Sequence, residues 1–221
     1  MPPAFCKPTP MSIGKTDICI IALHVLLVST MLTYFIRFDD MRTYGIFKIV
    51  ESCFVIVTAL KYKSSFKLKP LIMTFYALGD YIILYALVPS AFVFSAGHFL
   101  LLFYLKPQKP LLMLLISCTV AAIEPLIMYG IGLSKPLFTF GMFSYIWCVT
   151  LILVTLLMNK DCPLAHKKFI MAGAVSFFVS DTTLVLRKLC IQFFPPYIQS
   201  ILQIIVISTY YFATIVYAIC L

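Results

Sequence analysis

The stretch LFTFGMFSYIWCVTLILVTLLM, residues 137–158, runs without a single Asp, Glu, Lys, Arg or His. As a helix it has no polar stripe to turn toward water, so it must be buried inside protein or dissolved in lipid. Roughly 20 apolar residues carry a helix across a hydrocarbon core about 30 Å thick. This stretch is one of eight windows that meet or approach that length: 17–36, 44–60, 70–87, 90–105, 111–131, 137–158, 168–189 and 197–220. Charge, Pro or Asn separates them. Pro195-Pro196 marks the start of the last window, because proline suits the first turn of a helix and not its interior.

Composition closes off other classes. The chain is 62% hydrophobic and 11% charged, with a mean hydropathy of +1.05, whereas soluble domains carry about 25% charge. Membrane barrels read as short segments of alternating polarity, and the sequence has none. The expected architecture is all-α: an integral, multi-pass membrane protein with about eight transmembrane helices in one domain, 17–221, behind a polar N-terminal tail, 1–16. The segment MPPAFCKPTPMSIGK is Pro-rich and polar, so no removable signal peptide is expected and the first span acts as a signal anchor.

The net charge of +9 does not point to nucleic acid, because the basic residues sit mostly in short connections. With a cytoplasmic N-terminus, the inside segments hold most of the lysines, among them Lys61, Lys63, Lys67, Lys69, Lys106, Lys109 and Lys160. The outside segments hold Arg37, Arg42, Lys135, Arg187 and Lys188. This split predicts that both termini are cytoplasmic, and the inside lysines suit anionic membrane lipids. The eight cysteines show no CxxC and no Cys/His spacing for a metal. Those in the spans read as small hydrophobes.

A charge at the centre of a membrane helix costs about 2.5–3.5 kcal/mol on insertion scales, so deep ionisable groups carry the information. They are Lys48, Glu51, Asp80, His98, Glu124 and Asp181. Asp17, Asp39, Asp40 and Asp161 lie at span ends or in connections and read as solvated charges. Asp80, in FYALGDYIIL, and Asp181, in SFFVSDTTLVL, lie at similar distances along two spans that run in the same direction, so they reach a comparable depth. His98, Tyr145 and Tyr210 fall in the same layer. Taken singly, a His or Tyr in a membrane helix is an interhelical hydrogen-bonding group worth about 0.6 kcal/mol on average. Two aspartates at matched depth each require protonation or a partner. Lys48 and Glu51, three residues apart, share a helix face and are expected to pair; Lys48 can alternatively hold an anionic group. Glu124 precedes Pro125 and reads as a local polar patch at a kink.

The stretches KIVESCFVIVTAL, ALGDYIILYALVPSAFVFSAGHFLLLFYL, FGMFSYIWCVTLILVTLLM, GAVSFFVSDTTLVLRKLC and ISTYYFATIVYAI together resemble the YhhN-like lysoplasmalogenase family of eight-helix membrane proteins. The resemblance runs from about Lys48 to the end of the chain and rests on the order and spacing of several short motifs. It implies Asp80 and Asp181 as catalytic carboxylates. It also implies Lys48, His98, Tyr145, Lys188, Thr209, Tyr210 and Tyr211 as supporting or substrate-binding positions. Glu51, Arg187 and Thr214 depart from the family pattern, which has Pro, Asn and Gln there.

What the resemblance implies is an ether hydrolase, without metal or cofactor. It cleaves the vinyl ether of a choline or ethanolamine lysoplasmalogen to a fatty aldehyde and a glycerophospho-base. The reaction needs an acid to protonate the β-carbon and a base to activate water. A carboxyl group in an apolar site can stay protonated near neutral pH, while a second, ionised carboxylate supports the oxocarbenium cation, as in glycoside hydrolysis. His98 and Tyr145 are expected to orient water or tune the carboxylates, and Tyr210 and Tyr211 to donate to one of them. Lys48 and Lys188 are expected to anchor the substrate phosphate, with snorkelling to the interface the other reading of Lys188. For a eukaryotic source the expected membrane is the endoplasmic reticulum. A proton-coupled transporter would use the same residue types, but neither an internal repeat nor matched broken helices occur. A non-catalytic lysolipid-binding protein is the third reading.

Overall fold

The computed structural model describes residues 15–38, 41–62, 67–105, 110–130, 136–158, 167–189 and 193–221. The polar tail up to residue 14, the connection charges Asp39, Asp40 and Asp161, and the side chains of Glu124 and Lys188 lie outside the described residues. Every apolar window is a helix: α1 (Lys15–Phe38), α2 (Met41–Lys61), α3 (Lys69–Ile83), α4 (Leu87–Leu105), α5 (Pro110–Gly130), α6 (Pro136–Met158), α7 (Lys167–Leu189) and α8 (Pro196–Cys220). No strand occurs among the described residues.

Five of these helices are long and apolar enough to cross a membrane, over Thr16–Arg37, Arg42–Lys61, Thr139–Met158, Lys167–Arg187 and Pro196–Cys220. Leu87–Phe103 and Pro110–Ile123 are shorter apolar helices. Helix α3, with 15 residues, spans only about 22 Å at 1.5 Å per residue.

Local chemistry sets the boundaries. Pro195 is extended at ψ 155° and Pro196 opens α8, where its missing N–H costs nothing. The α3–α4 turn falls at 84–86, ahead of the expected break at 88–89. A continuous helix would need an N–H from Pro89 to the Tyr85 carbonyl, which proline cannot give. The chain therefore turns early, with Tyr85 N–H donating to Ile82 O at 2.9 Å and Ala86 N–H to the same carbonyl at 2.8 Å. Pro89 then sits in the first turn of α4.

Six helices close a ring: α2 packs on α3, α3 on α4, α4 on α6, α6 on α7, α7 on α8, and α8 returns to α2 and α3. Helix α1 lies outside on α2 and α8, and α5 lies outside on α6. The outer faces of these two helices are apolar and bare, with Leu26 62% and Leu115 60% exposed. Patches of that kind are covered by lipid or by protein in a native setting. Side chains tie the layers: Trp147 Nε1 donates to Ser117 Oγ at 3.0 Å and Ser180 Oγ to Val206 O at 3.0 Å.

On α3 the buried residues Lys69, Ile72, Met73, Tyr76, Gly79 and Asp80 recur at three- and four-residue spacing and form one face. Two glycines let α3 and α4 approach. A Cβ on Gly79 would lie 2.7 Å from the Phe94 ring, and one on Gly97 would lie 2.7 Å from the Tyr76 ring. The glycine before Asp80 is thus a packing requirement that brings the aspartate against α4.

Candidate active site

A cavity of about 340 Å³ opens inside the ring, lined by residues of α1, α2, α3, α4, α6, α7 and α8. It occupies the C-terminal parts of α1, α3 and α7 and the N-terminal parts of α2, α4, α6 and α8. Antiparallel neighbours bring all of these to one end of the bundle. Phe94, Leu87, Met142, Val206 and Ile207 supply apolar wall, while Lys48, Asp80, Tyr145, Asp181, Tyr210 and Tyr211 supply polar wall.

Asp80 is the most heavily contacted group. Lys48 Nζ stands 2.5 Å from Oδ1, Ser52 Oγ is 2.6 Å from Oδ2, and Tyr210 OH donates to Oδ2 at 2.8 Å. The Ser52 hydroxyl also lies 2.9 Å from Lys48 O, and its single proton is better spent on the charged acceptor. An ammonium and two hydroxyl donors are the partners of an ionised carboxylate. The ammonium also lies over the Tyr210 and Tyr211 rings, 5.1 and 5.5 Å from their centroids, so cation–π attraction adds to the pair. Tyr211 OH is 3.4 Å from Lys48 O, on the helix backbone rather than on a carboxylate.

Asp181 stands on the opposite helix of the ring, α7, and accepts from Tyr145 OH at 2.8 Å. Both aspartates are buried, and both line the cavity. Lys48, Asp80, Tyr145, Asp181, Tyr210 and Tyr211, six of the nine positions expected from the sequence, therefore meet in one place.

The other three do not. His98 is buried behind the wall: its ring stacks on Tyr145 with centroids 5.5 Å apart, meets Phe177 edge-on at 5.1 Å, and its Nδ1 lies 2.5 Å from Tyr76 OH. It positions Tyr145 and does not face the cavity. Thr209 turns its hydroxyl to Ile205 O at 2.6 Å, within its own helix. Of Lys188 only the backbone is described.

The expected pairing of Lys48 with Glu51 does not occur. Lys48 takes Asp80, and Glu51 Oε1 lies 2.5 Å from His24 Nδ1 on α1. Side chains three apart on a helix diverge by about 60°, and here α3 fills the side facing Lys48 while α1 fills the side facing Glu51. The Thr58 hydroxyl lies 2.9 Å from Phe54 O and 3.0 Å from His24 Nε2, so the imidazole is held at both nitrogens. Neither His24 nor Glu51 lines the cavity.

Four lining or supporting residues escape the sequence reading. Ser52 lies one turn beyond Lys48, a spacing that could have found it. Tyr44 lies one turn before Lys48, and Gln203 lies two turns before Tyr210 in a tract without charge. Arg187 stands out only as a departure from a pattern. Compared with protein-family models, curated proteins and solved structures, the chain matches none.

Proposed function

We propose that this chain is a lysoplasmalogenase embedded in a membrane through all eight helices, with both termini cytoplasmic and the cavity toward the opposite side. The observation that carries the reading is the pair of buried aspartates on the wall of one cavity, with Asp80 held by Lys48, Ser52 and Tyr210. The resemblance to the YhhN-like family supports the same reaction. A fatty alkenyl chain would enter the apolar part of the cavity between helices.

The donor set of Asp80 divides the roles. Asp80 is the ionised partner, and the proton donor is the other carboxyl on the wall, Asp181. In the first step the Asp181 proton passes to the β-carbon of the vinyl ether, whose π electrons form the new C–H bond and leave an oxocarbenium ion. Asp80 stabilises that cation across the cavity, a fixed charge placed where positive charge develops. Water attacks an oxocarbenium with little help from a base. Asp80 takes one water proton as the oxygen bonds to the α-carbon. The hemiacetal then collapses: the glycerol oxygen leaves with the Asp80 proton, and the hemiacetal hydroxyl returns its proton to Asp181. Both carboxyl groups end as they began.

The test is aldehyde release from a defined lysoplasmalogen by the purified chain and by Asp80→Asn and Asp181→Asn. Activity in the parent and its loss in both variants is the expected result. Undiminished activity in either variant removes the two-carboxyl mechanism. Proton-coupled flux in vesicles without aldehyde would assign the pair to transport.

A further inference from the structure

Lys48, expected to anchor a phosphate, is committed to Asp80, so a lysolipid headgroup needs another cation. Arg187 on α7 lines the same cavity. Its guanidinium lies 5.8 Å above the Phe35 ring, and its Nε is buried with no hydrogen-bond partner. On α8, the helix packed against α7, Gln203 is 6% exposed and also lines the cavity. Its Nε2 reaches Tyr44 OH at 3.4 Å, and its Oε1 is buried without a partner. Whichever way the amide is turned, one of its polar atoms is buried without a partner. Six buried side-chain polar atoms lack a partner among the described residues, and only those of Arg187 and Gln203 belong to residues that line the cavity, where a ligand could satisfy them.

We infer that Arg187 and Gln203 form the headgroup subsite, binding the phosphodiester of a lysophospholipid. Arg187 presents N–H donors to phosphate oxygens in a geometry that lysine cannot reproduce. Gln203 meets either the phosphate or the adjoining headgroup through its free amide edge. Position agrees with this role. Arg187 lies on α7 beyond Asp181 by about 9 Å at 1.5 Å per residue, near the helix end, where lipid headgroups sit.

The inference rests on the reading of the cavity as a lysolipid site, and binding separates it from catalysis. In full-chain protein held in lipid discs, the probes are a saturated acyl lysophosphatidylethanolamine, a monoacylglycerol of the same chain length, and inorganic phosphate alone. The parent is expected to bind the lysophospholipid at least about tenfold more tightly than the monoacylglycerol. Arg187→Gln should abolish that preference and leave monoacylglycerol binding unchanged, Arg187→Lys should restore part of it, and Gln203→Leu should reduce it. A preference that survives Arg187→Gln, equal loss of both lipids, or no preference in the parent overturns the subsite. Arg187-dependent binding of inorganic phosphate without lipid preference overturns it in favour of a free-anion site. A parent that shows the preference but releases no aldehyde defeats the hydrolase reading and leaves the subsite standing.

Discussion

Lys48 and Glu51 stand one turn apart on α2, both buried and both ionisable, yet they belong to different regions of the molecule. Lys48 faces inward, meets Asp80 and borders a cavity with room for a ligand. Glu51 faces outward to α1, meets His24 and is enclosed by protein. The first cluster joins α2, α3 and α8 on the wall of the cavity, and the second joins α1 to α2 through two side chains that are fully buried and do not line it. Chemistry requires a group that a substrate can reach, so the same residue types act as a candidate catalytic device in one place and as an interhelical fastening in the other.

The strongest way to break this comparison is to remove the carboxylates. Asp80→Asn and Asp181→Asn should each lower aldehyde release by roughly a hundredfold or more, the scale of acid–base contributions. Glu51→Gln, assayed alongside, should leave turnover per folded molecule near the parent value. Equal losses in all three would erase the distinction between the clusters.

Stability offers the next contrast. Lys48→Met leaves a buried charge on Asp80 and should cost about 3–5 kcal/mol, read as thermal or denaturant unfolding in detergent. Combining it with Asp80→Asn should recover much of the stability and none of the activity, a coupling that a double-mutant cycle measures. His24→Leu removes the partner of Glu51 Oε1 in the outer cluster and should cost about 1–3 kcal/mol. Turnover by the molecules that remain folded should persist.

The smallest effect concerns positioning. Tyr145→Phe removes one hydrogen bond to Asp181, worth about 1 kcal/mol, and should slow turnover several-fold without changing lysolipid affinity. His98→Ala should do the same through its stacking on Tyr145. A large loss of affinity in His98→Ala that Tyr145→Phe does not share would move His98 from a supporting place to a binding one.

Much of this was legible in the chain. The eight windows locate the helices because a long uncharged run has no stable alternative to a helix in an apolar medium. The largest shift is at the end of α3, which stops at Ile83 rather than 87, and it follows from the missing amide of Pro89. Asp80 and Asp181 stood out because isolated charge in such windows is costly. Facing was not legible. In α4 and α6 nearly every side chain is apolar, so no polar stripe reports which side turns inward, and the contrast that orients helices in water is weak in lipid. For that reason His98 looked like a cavity residue and lies behind Tyr145, while Ser52, Gln203 and Arg187 went unread on helices whose rotation was unknown.

By itself the sequence determined the all-helical architecture, the order of the helices, and which side chains are too polar for their surroundings to be incidental. Hydrophobic length and charge cost are properties of segments, and segments are what a sequence displays. Which polar group meets which was decided only when six helices closed into a ring and α1 settled outside it. A buried charge takes the partner that packing brings within about 3 Å, and for Lys48 that partner was Asp80, on another helix, rather than the neighbour one turn away.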